Sequence, residues 1–594
     1  MRTFIAFRID TDNPDEFLTK GIERIRKHYY ESIDKNVNYT EKIIRYKNIG
    51  AVIFDLEDSP LLWKDVYEEN NFALITYAPP TNWKRYCNSK DIKKAPGELL
   101  NYLVNNPHKS HGFSAPTCFA TLDKSQEELN IYTDAMGFSR LYEYRGENGW
   151  FWSNRAGALP LLAGEKAEIN KDGWSNLCAA GWFIGNNSPI ENVIRIDQGI
   201  RVNISSDINQ PRKLLDDGSF SNLVSSRPKE SIDYENIAED MKFNLDSFRN
   251  LWNLPLIVDL SGGKDSRICS AAVISSGATD VEFRTVANYD EEVNVAHRLL
   301  KKIGLENKHL IVNPIAGNDS GKVIKRSIED RMKLFFHSTD GDCTPAVVQN
   351  NITEKSLYTY STKLKIAGPI GAAAKPLYYN TEKRVEKLER LGNDAALERL
   401  KQSYFKYDSV RPEIQNKTIE SISAVLQKGR SYGLRKLELL DYFFIADRGR
   451  RWTPQNNHID RYSVFFSNVF LSEAMNLTID ERLNNEFFKG INEYLVPEWH
   501  GEAYFKQSTE FDERSHKKMR LWQTSDKEGI EEILNNPDIW NEYFDEEKLI
   551  KLWEDAKNDV LGAYTDASEK LFYRVMMIAH YQDYLKRVNH HISK

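Results

Sequence analysis

The chain has no cysteine pair at metal or redox spacing. Its five cysteines, Cys87, Cys118, Cys178, Cys269 and Cys343, are odd in number and form no CxxC motif, which excludes a zinc ribbon and a disulfide framework and fits a reducing compartment. It also has no uncharged apolar run near the ~20 residues that cross a bilayer. The opening apolar stretch is broken by Arg8 and Asp10, so no leader or anchor is expected and the expected location is cytoplasmic. A basic excess is missing too. With 80 Lys and Arg against 87 Asp and Glu the net charge is −7, and no global field draws the chain to nucleic acid or anionic lipid. There is no internal repeat, and 31 Gly and 20 Pro in 594 residues are too few for a collagen-like or low-complexity chain.

Hydrophobic residues make up 41% of the chain and aromatics 12%, enough for two or three cored domains. Up to about residue 205 the pattern is β-rich, with short β-prone runs at 51–55, 72–77, 117–122, 129–133 and 149–153 between turn residues. Asp, Gly, Ser, Asn and Pro gather over 211–233, which reads as a linker between a unit at 1–210 and a unit at 234–594. In the second unit a helix over 234–252 precedes an apolar strand at 256–260, a glycine loop at 261–264 and a helix over 265–276 capped by Gly277. A strand at 281–287, a helix at 290–303 ended by Gly304 and a strand at 309–312 follow. Such alternation predicts a parallel sheet with right-handed crossovers. Beyond about 380, helical spacing dominates at 381–402, 418–427, 434–448, 484–494 and 567–587.

The stretch Ser261-Gly262-Gly263-Lys264-Asp265-Ser266-Arg267 carries the chemistry. It follows a strand and opens a helix, where free backbone N–H groups and the helix dipole favour anions. Its glycines let the backbone approach phosphate oxygens, the hydroxyls of Ser261 and Ser266 are donors, and Asp265 is suited to a Mg²⁺ ion bridging the same oxygens. A Walker A loop needs Lys followed by Ser or Thr, and here Lys264 is followed by Asp265. The alternative is a plain strand-to-helix turn.

The SGGKDS string resembles the pyrophosphate loop of the N-type ATP pyrophosphatases, and its surroundings resemble the asparagine synthetase-like family, including β-lactam synthetases and lasso-peptide cyclases. Upstream, Asp134 to Tyr142 (DAMGFSRLY) is similar to that family's DRxGxxPLYY stretch, and Ile194 to Gly199 (IRIDQG) to its IxxLPPG stretch. Downstream, His337 to Pro345 (HSTDGDCTP) is similar to HxDEPxxDPS, and Asp447-Arg448 and Phe465-Phe466 to its DR and PFLD elements. The resemblance implies an α/β protein: an Ntn-hydrolase-like αββα amino-terminal domain, then an adenine-nucleotide α-hydrolase-like, Rossmann-like synthetase domain with a helical carboxyl-terminal part. It implies ATP and Mg²⁺ as cofactors, adenylation of a small-molecule or peptide carboxylate with release of pyrophosphate, and attack by ammonia or an amine. By the same resemblance Leu260 lines the adenine site, and Ser261, Gly262, Gly263, Ser266 and Arg267 hold the nucleotide. Asp265 and Lys264 are catalytic, and Asp265 binds Mg²⁺. Neither nucleic acid nor membrane is expected as a partner, and a homodimer is compatible with the reading.

The sequence departs from that family in three places. Glutamine-using members carry an amino-terminal cysteine nucleophile, whereas this chain begins Met1-Arg2 and first reaches cysteine at Cys87, so no glutaminase activity is expected. The counterpart of the family's GxGADE motif, Gly368 to Lys375 (GPIGAAAK), has no acid; Asp340 or Asp342 is the candidate replacement metal ligand, with solvated loop carboxylates as the alternative. The acid of the LEARxPFLD element falls on Asn456 or Asp460, depending on a gap. Arg448 to Trp452 (RGRRW) reads either as a phosphate contact or as a helix end with solvated arginines. His297, His309 and His337 lack metal-ligand spacing and read as structural, His590-His591 as a fraying end, and Tyr442-Phe443-Phe444 as core. Two other classes stay open: a nucleotide-binding regulatory or scaffold protein that has lost catalysis, and a tRNA-modifying enzyme, which the acidic charge and the cysteine spacing argue against.

Overall fold

The computed structural model describes the chain from Arg2 to Ser593 apart from 33–36, 90, 108, 110, 226–230, 288, 313–325, 346, 347, 349–352, 453–458, 506–520, 559 and 561–564. The first half builds two six-stranded antiparallel sheets. Strands β1 (Thr3–Ile9), β2 (Tyr39–Tyr46), β3 (Ile49–Leu56), β4 (Val66–Glu69), β5 (Phe72–Ala78) and β6 (Cys118–Asp123) come first. Then follow β7 (Glu128–Thr133), β8 (Tyr142–Gly146), β9 (Gly149–Ser153), β10 (Val193–Arg195), β11 (Ile200–Ser205) and β12 (Lys213–Asp216). One sheet runs β10-β8-β9-β1-β3-β2 and the other β12-β11-β7-β6-β5-β4.

Strands β1 and β3 are buried along their whole length, because each of their faces has a separate partner. Side chains alternate across a strand, so Phe4, Ala6, Ala51 and Ile53 meet Leu74, Phe119, Leu122 and Ile131 of the second sheet. Ile5, Phe7, Val52 and Phe54 point the other way, into a core shared with Leu18, Ile22 and Ile25 of the helix Pro14–Arg26. The helices Ile328–Thr339 and Asp566–Ser593 supply Met332, Phe336, Met576 and Tyr581 to that same core. The end of the chain therefore returns to the first sheet, and the histidine pair expected to fray lies within the last helix.

The first part of the segment read as a linker carries a strand and a helix. Strand β12 pairs with β11, and a short helix Ser219–Val224 follows. Its polar composition reflects an edge position: β12 is mostly exposed on its outer side, where lysine and aspartate also discourage pairing with another chain. The helix expected over 381–402 is two helices, Glu382–Glu389 and Ala395–Tyr404, interrupted where Gly392 takes a φ of +59°.

The second half carries a five-stranded sheet in the order β15-β14-β13-β16-β17, with every pairing parallel. Its strands are β13 (Leu256–Asp259), β14 (Val281–Val286), β15 (His309–Val312), β16 (Leu364–Ile366) and β17 (Arg461–Tyr462). The chain moves from β13 outward through β14 to β15, then crosses back to lay β16 on the other side of β13. The strand order reverses between β13 and β16, and in open parallel sheets the crevice outside the carboxyl ends of the strands at such a reversal is where ligands bind. None of the described helices is long and apolar enough to cross a membrane.

Candidate functional site

The loop Ser261–Gly263 leaves β13 at this crevice, and the helix Lys264–Ser275 starts from it. Its serines hold the turn in shape: Ser261 Oγ and Ser266 Oγ lie 2.7 Å apart, and the Gly263 N–H donates to Ser261 Oγ at 3.2 Å. The missing side chain at Gly262 matters most. The Phe505 N–H donates to the Gly262 carbonyl at 2.9 Å, and a Cβ at Gly262 would lie 2.2 Å from Cβ of Phe505. Gly262→Ala is expected to push the loop off this neighbour and to lower stability by about 1–3 kcal/mol in urea unfolding. Gly263→Ala, whose Cβ would meet only Ser261 Oγ at 3.3 Å, is expected to lose less; equal losses for the two variants would dismiss the close approach as a constraint.

The segment after β16 forms the other wall. A Cβ at Gly368 would lie 2.8 Å from Asp265 Cβ, and one at Gly371 would lie 2.8 Å from Asp265 Oδ1 and 2.9 Å from the Phe465 ring. Lys375 Nζ donates to Asp265 Oδ2 at 2.6 Å, whereas Oδ1 is buried with no hydrogen-bond partner among the described residues. Lys264 Nζ donates to Asn485 Oδ1. Mg²⁺ demands near-octahedral oxygen coordination and does not fit at Asp265, since one carboxylate oxygen faces an ammonium and the other is buried against Gly371, where a Cβ would lie 2.8 Å from it.

Asp340 lies elsewhere, which corrects its assignment as a metal ligand. It takes a left-handed backbone at the end of the helix Ile328–Thr339 and is 1% exposed. Its carboxylate accepts from Arg155 Nε at 3.0 Å and Nη2 at 2.9 Å, and from the hydroxyls of Tyr29 and Tyr584 at 2.8 Å each. Burial opposes its charge, but Arg155 and these hydroxyls hold it below the ordinary value. Asp342 is likewise no solvated carboxylate: it accepts from Tyr142 and Arg451, and against burial the surrounding arginines hold it far below the usual range.

Two other residues assigned to the nucleotide turn away from the loop. Leu260 is fully buried in the core, with its N–H on the Arg284 carbonyl, so its side chain lines no open adenine site. Arg267 is 1% exposed and spends its terminal nitrogens on the carbonyls of Glu502 and Ala503, both at 2.7 Å, with its guanidinium over the Tyr504 ring. It braces the segment that brings Phe505 onto Gly262. Sequence reasoning missed Glu292, in the first turn of the helix Asp290–Lys302; burial raises its carboxyl, and the neighbouring Ser261 hydroxyl opposes the rise. The acid-rich start of that helix was the available signal.

Arg450 and Arg451 of the arginine-rich stretch are buried rather than solvated. Arg450 donates to the carbonyls of Gly137 and Ile196, and Arg451 to those of Gly185 and Asn187. Asp447 accepts from the Trp182 indole at 2.7 Å and from the Gly185 N–H. These side chains tie the two halves together. Asp134 caps its own turn by accepting from the N–H groups of Phe138 and Ser139 at 2.8 Å. Asn456 lies outside the described residues. Asp460 precedes β17 at the level of Leu256, five residues of parallel strand before the loop, about 16 Å back along the strand direction and two strands to the side. His337 is structural, bonded to the Tyr29 carbonyl and the Tyr358 hydroxyl.

No protein-family model matches this sequence, and no curated protein does. Among solved structures, glutamine phosphoribosylpyrophosphate amidotransferase from B. subtilis, complexed with ADP and GMP, is similar over 48% of this chain at 11% identity and a TM-score of 0.21. A structure of the allosteric regulatory enzyme of purine biosynthesis is similar over 48% at 10% identity and a TM-score of 0.21. This chain covers 65% and 64% of those two chains, and at this distance neither assigns it to a family.

Proposed function

We propose that the chain is an ATP-dependent amide-forming ligase of the asparagine synthetase type, without glutaminase activity. The observation that carries this reading is the SGGKDS loop at the β13/β16 crevice, with Gly262 closely approached by Phe505 and its serine hydroxyls at the start of a helix. In the proposed reaction a substrate carboxylate oxygen attacks the α-phosphorus of ATP, the α–β bridging bond breaks and pyrophosphate leaves into the loop. An amine then attacks the acyl carbon, AMP departs, and the amine proton passes to solvent. Preorganised donors at the loop, rather than covalent chemistry by the protein, would supply the stabilisation.

The first half, two antiparallel sheets with helices against the outer face of one, supports an Ntn-hydrolase-like domain that lacks its nucleophile. Arg2 is buried there, paired with Asp55 at 3.2 Å and with Asp65. Burial pushes the Cys87 thiol up to about 12 and Cys343 up to about 12, and raises Cys118, Cys178 and Cys269 as well. None is a ready thiolate. The nitrogen would then be free ammonia or an amine of the substrate.

Calorimetry of ATP with the native chain and with Ser261→Ala tests the site, followed by assay of AMP and pyrophosphate against a panel of carboxylates with ammonia or amines. Binding that weakens in the variant, with AMP and pyrophosphate formed in equal amounts, is the expected result; an unaltered affinity would remove the loop from the reading. The Lys375–Asp265 pair favours a second reading, a nucleotide-binding protein without turnover. That reading expects the same binding and no pyrophosphate with any substrate pair.

A further inference from the structure

The proposed function implies a divalent cation at Asp265, and the residues do not fit one. We infer that Lys375 supplies at Asp265 the positive charge a metal would, so that the loop takes a diphosphate group without a metal ion held by that carboxylate. The inference rests on the loop being a phosphate site.

The argument is geometric. An ammonium has three donors and no acceptor, and Lys375 uses one of them on Asp265 Oδ2 at 2.6 Å. Its side chain is held, 27% exposed, with Nζ 5.5 Å from the centre of the Phe488 ring. The remaining donors are available for phosphate oxygens beside the Gly263 amide and the serine hydroxyls. Asp265 sits between this ammonium and the closely approaching Gly368 and Gly371, where any side chain would collide. The carboxylate thus orients the lysine instead of ligating a cation. Among the described residues no three acids, histidines or cysteines come together to hold a metal.

Inorganic pyrophosphate is the probe. Its affinity for the native chain, measured by calorimetry in EDTA and again with Mg²⁺, is expected to differ by less than about threefold, whereas Lys375→Ala in EDTA is expected to lose at least about tenfold. Lys375→Gln, which keeps the stem and drops the charge, is expected to follow the alanine variant. Electron paramagnetic resonance with Mn²⁺ gives a readout that needs no folded variant of Lys375: the native chain is expected to show no bound ion that disappears in Asp265→Asn. Native binding that vanishes in EDTA and returns with Mg²⁺, unchanged by Lys375→Ala, would overturn the inference and leave the phosphate loop standing. So would a Mn²⁺ signal lost in Asp265→Asn. Absence of pyrophosphate and ATP binding under every condition would overturn the phosphate loop itself, and this inference with it.

Discussion

Replacing Arg155 by leucine is expected to remove about 3–5 kcal/mol from the first urea transition, the usual loss when one partner of a buried ion pair is taken away. Arg155 is 5% exposed, and its guanidinium reaches both oxygens of Asp340 and the carbonyl of His337. Without it, Asp340 keeps the hydroxyls of Tyr29 and Tyr584 but no counter-charge in a site closed to water. These partners come from the first antiparallel sheet's helix layer, from the middle of the chain and from its last helix, so the pair holds three distant segments at one point. Asp340→Asn is expected to cost less than Arg155→Leu, and the double variant less than the sum of the two, because the stranded carboxylate is gone. A loss of under ~1 kcal/mol for Arg155→Leu would show that apolar packing alone holds these segments.

Acidification is expected to destabilise the chain from about pH 6, above the range in which solvent-exposed carboxylates titrate. Burial and the neighbouring rings of His337 and His591 keep His28 well below its ordinary value. Burial and the Arg155 guanidinium bring His337 down to about 3. Both rings are nearly inaccessible, and neither nitrogen of His28 has a hydrogen-bond partner among the described residues. The unfolded chain takes protons near pH 6.5 that the folded chain refuses, so this contribution is complete above ~6.5 and declines as pH falls, by up to about 1.4 kcal/mol per pH unit for each histidine. Asp340 and Asp342 have lowered folded values; their contribution is present above about pH 4 and is lost only below it. Urea midpoints at pH 7, 6, 5 and 4 should therefore fall steadily, and His337→Gln should flatten the decline between pH 6 and 4. Parallel declines for the variant and the native chain would exclude His337 as a source.

Local pattern made the site legible and left its charge balance hidden. The strand Leu256–Asp259, the glycine loop and the helix Lys264–Ser275 are contiguous, and period-2 and period-3.6 spacing place them within a residue or two. Strands β14 and β15 and the helix Asp290–Lys302 were legible for the same reason. Strands β1, β8 and β10 carry no clean alternation. Strand β1 is buried on both faces and β10 has three residues, and register between distant strands leaves no mark on a single segment. Arg267 sits in the first turn of the loop helix by sequence, yet the helical rotation aims it at residues 502 and 503.

The sequence by itself determined the loop and the strands and helices next to it, because backbone conformation there follows from neighbours a few positions away. Only the tertiary structure decided which charges neutralise which. Lys375 meets Asp265 across 110 positions, and Arg155 meets Asp340 across 185. In the dry interior an ionised carboxylate is retained only with a partner, and which cation arrives is set by the crossing of distant segments.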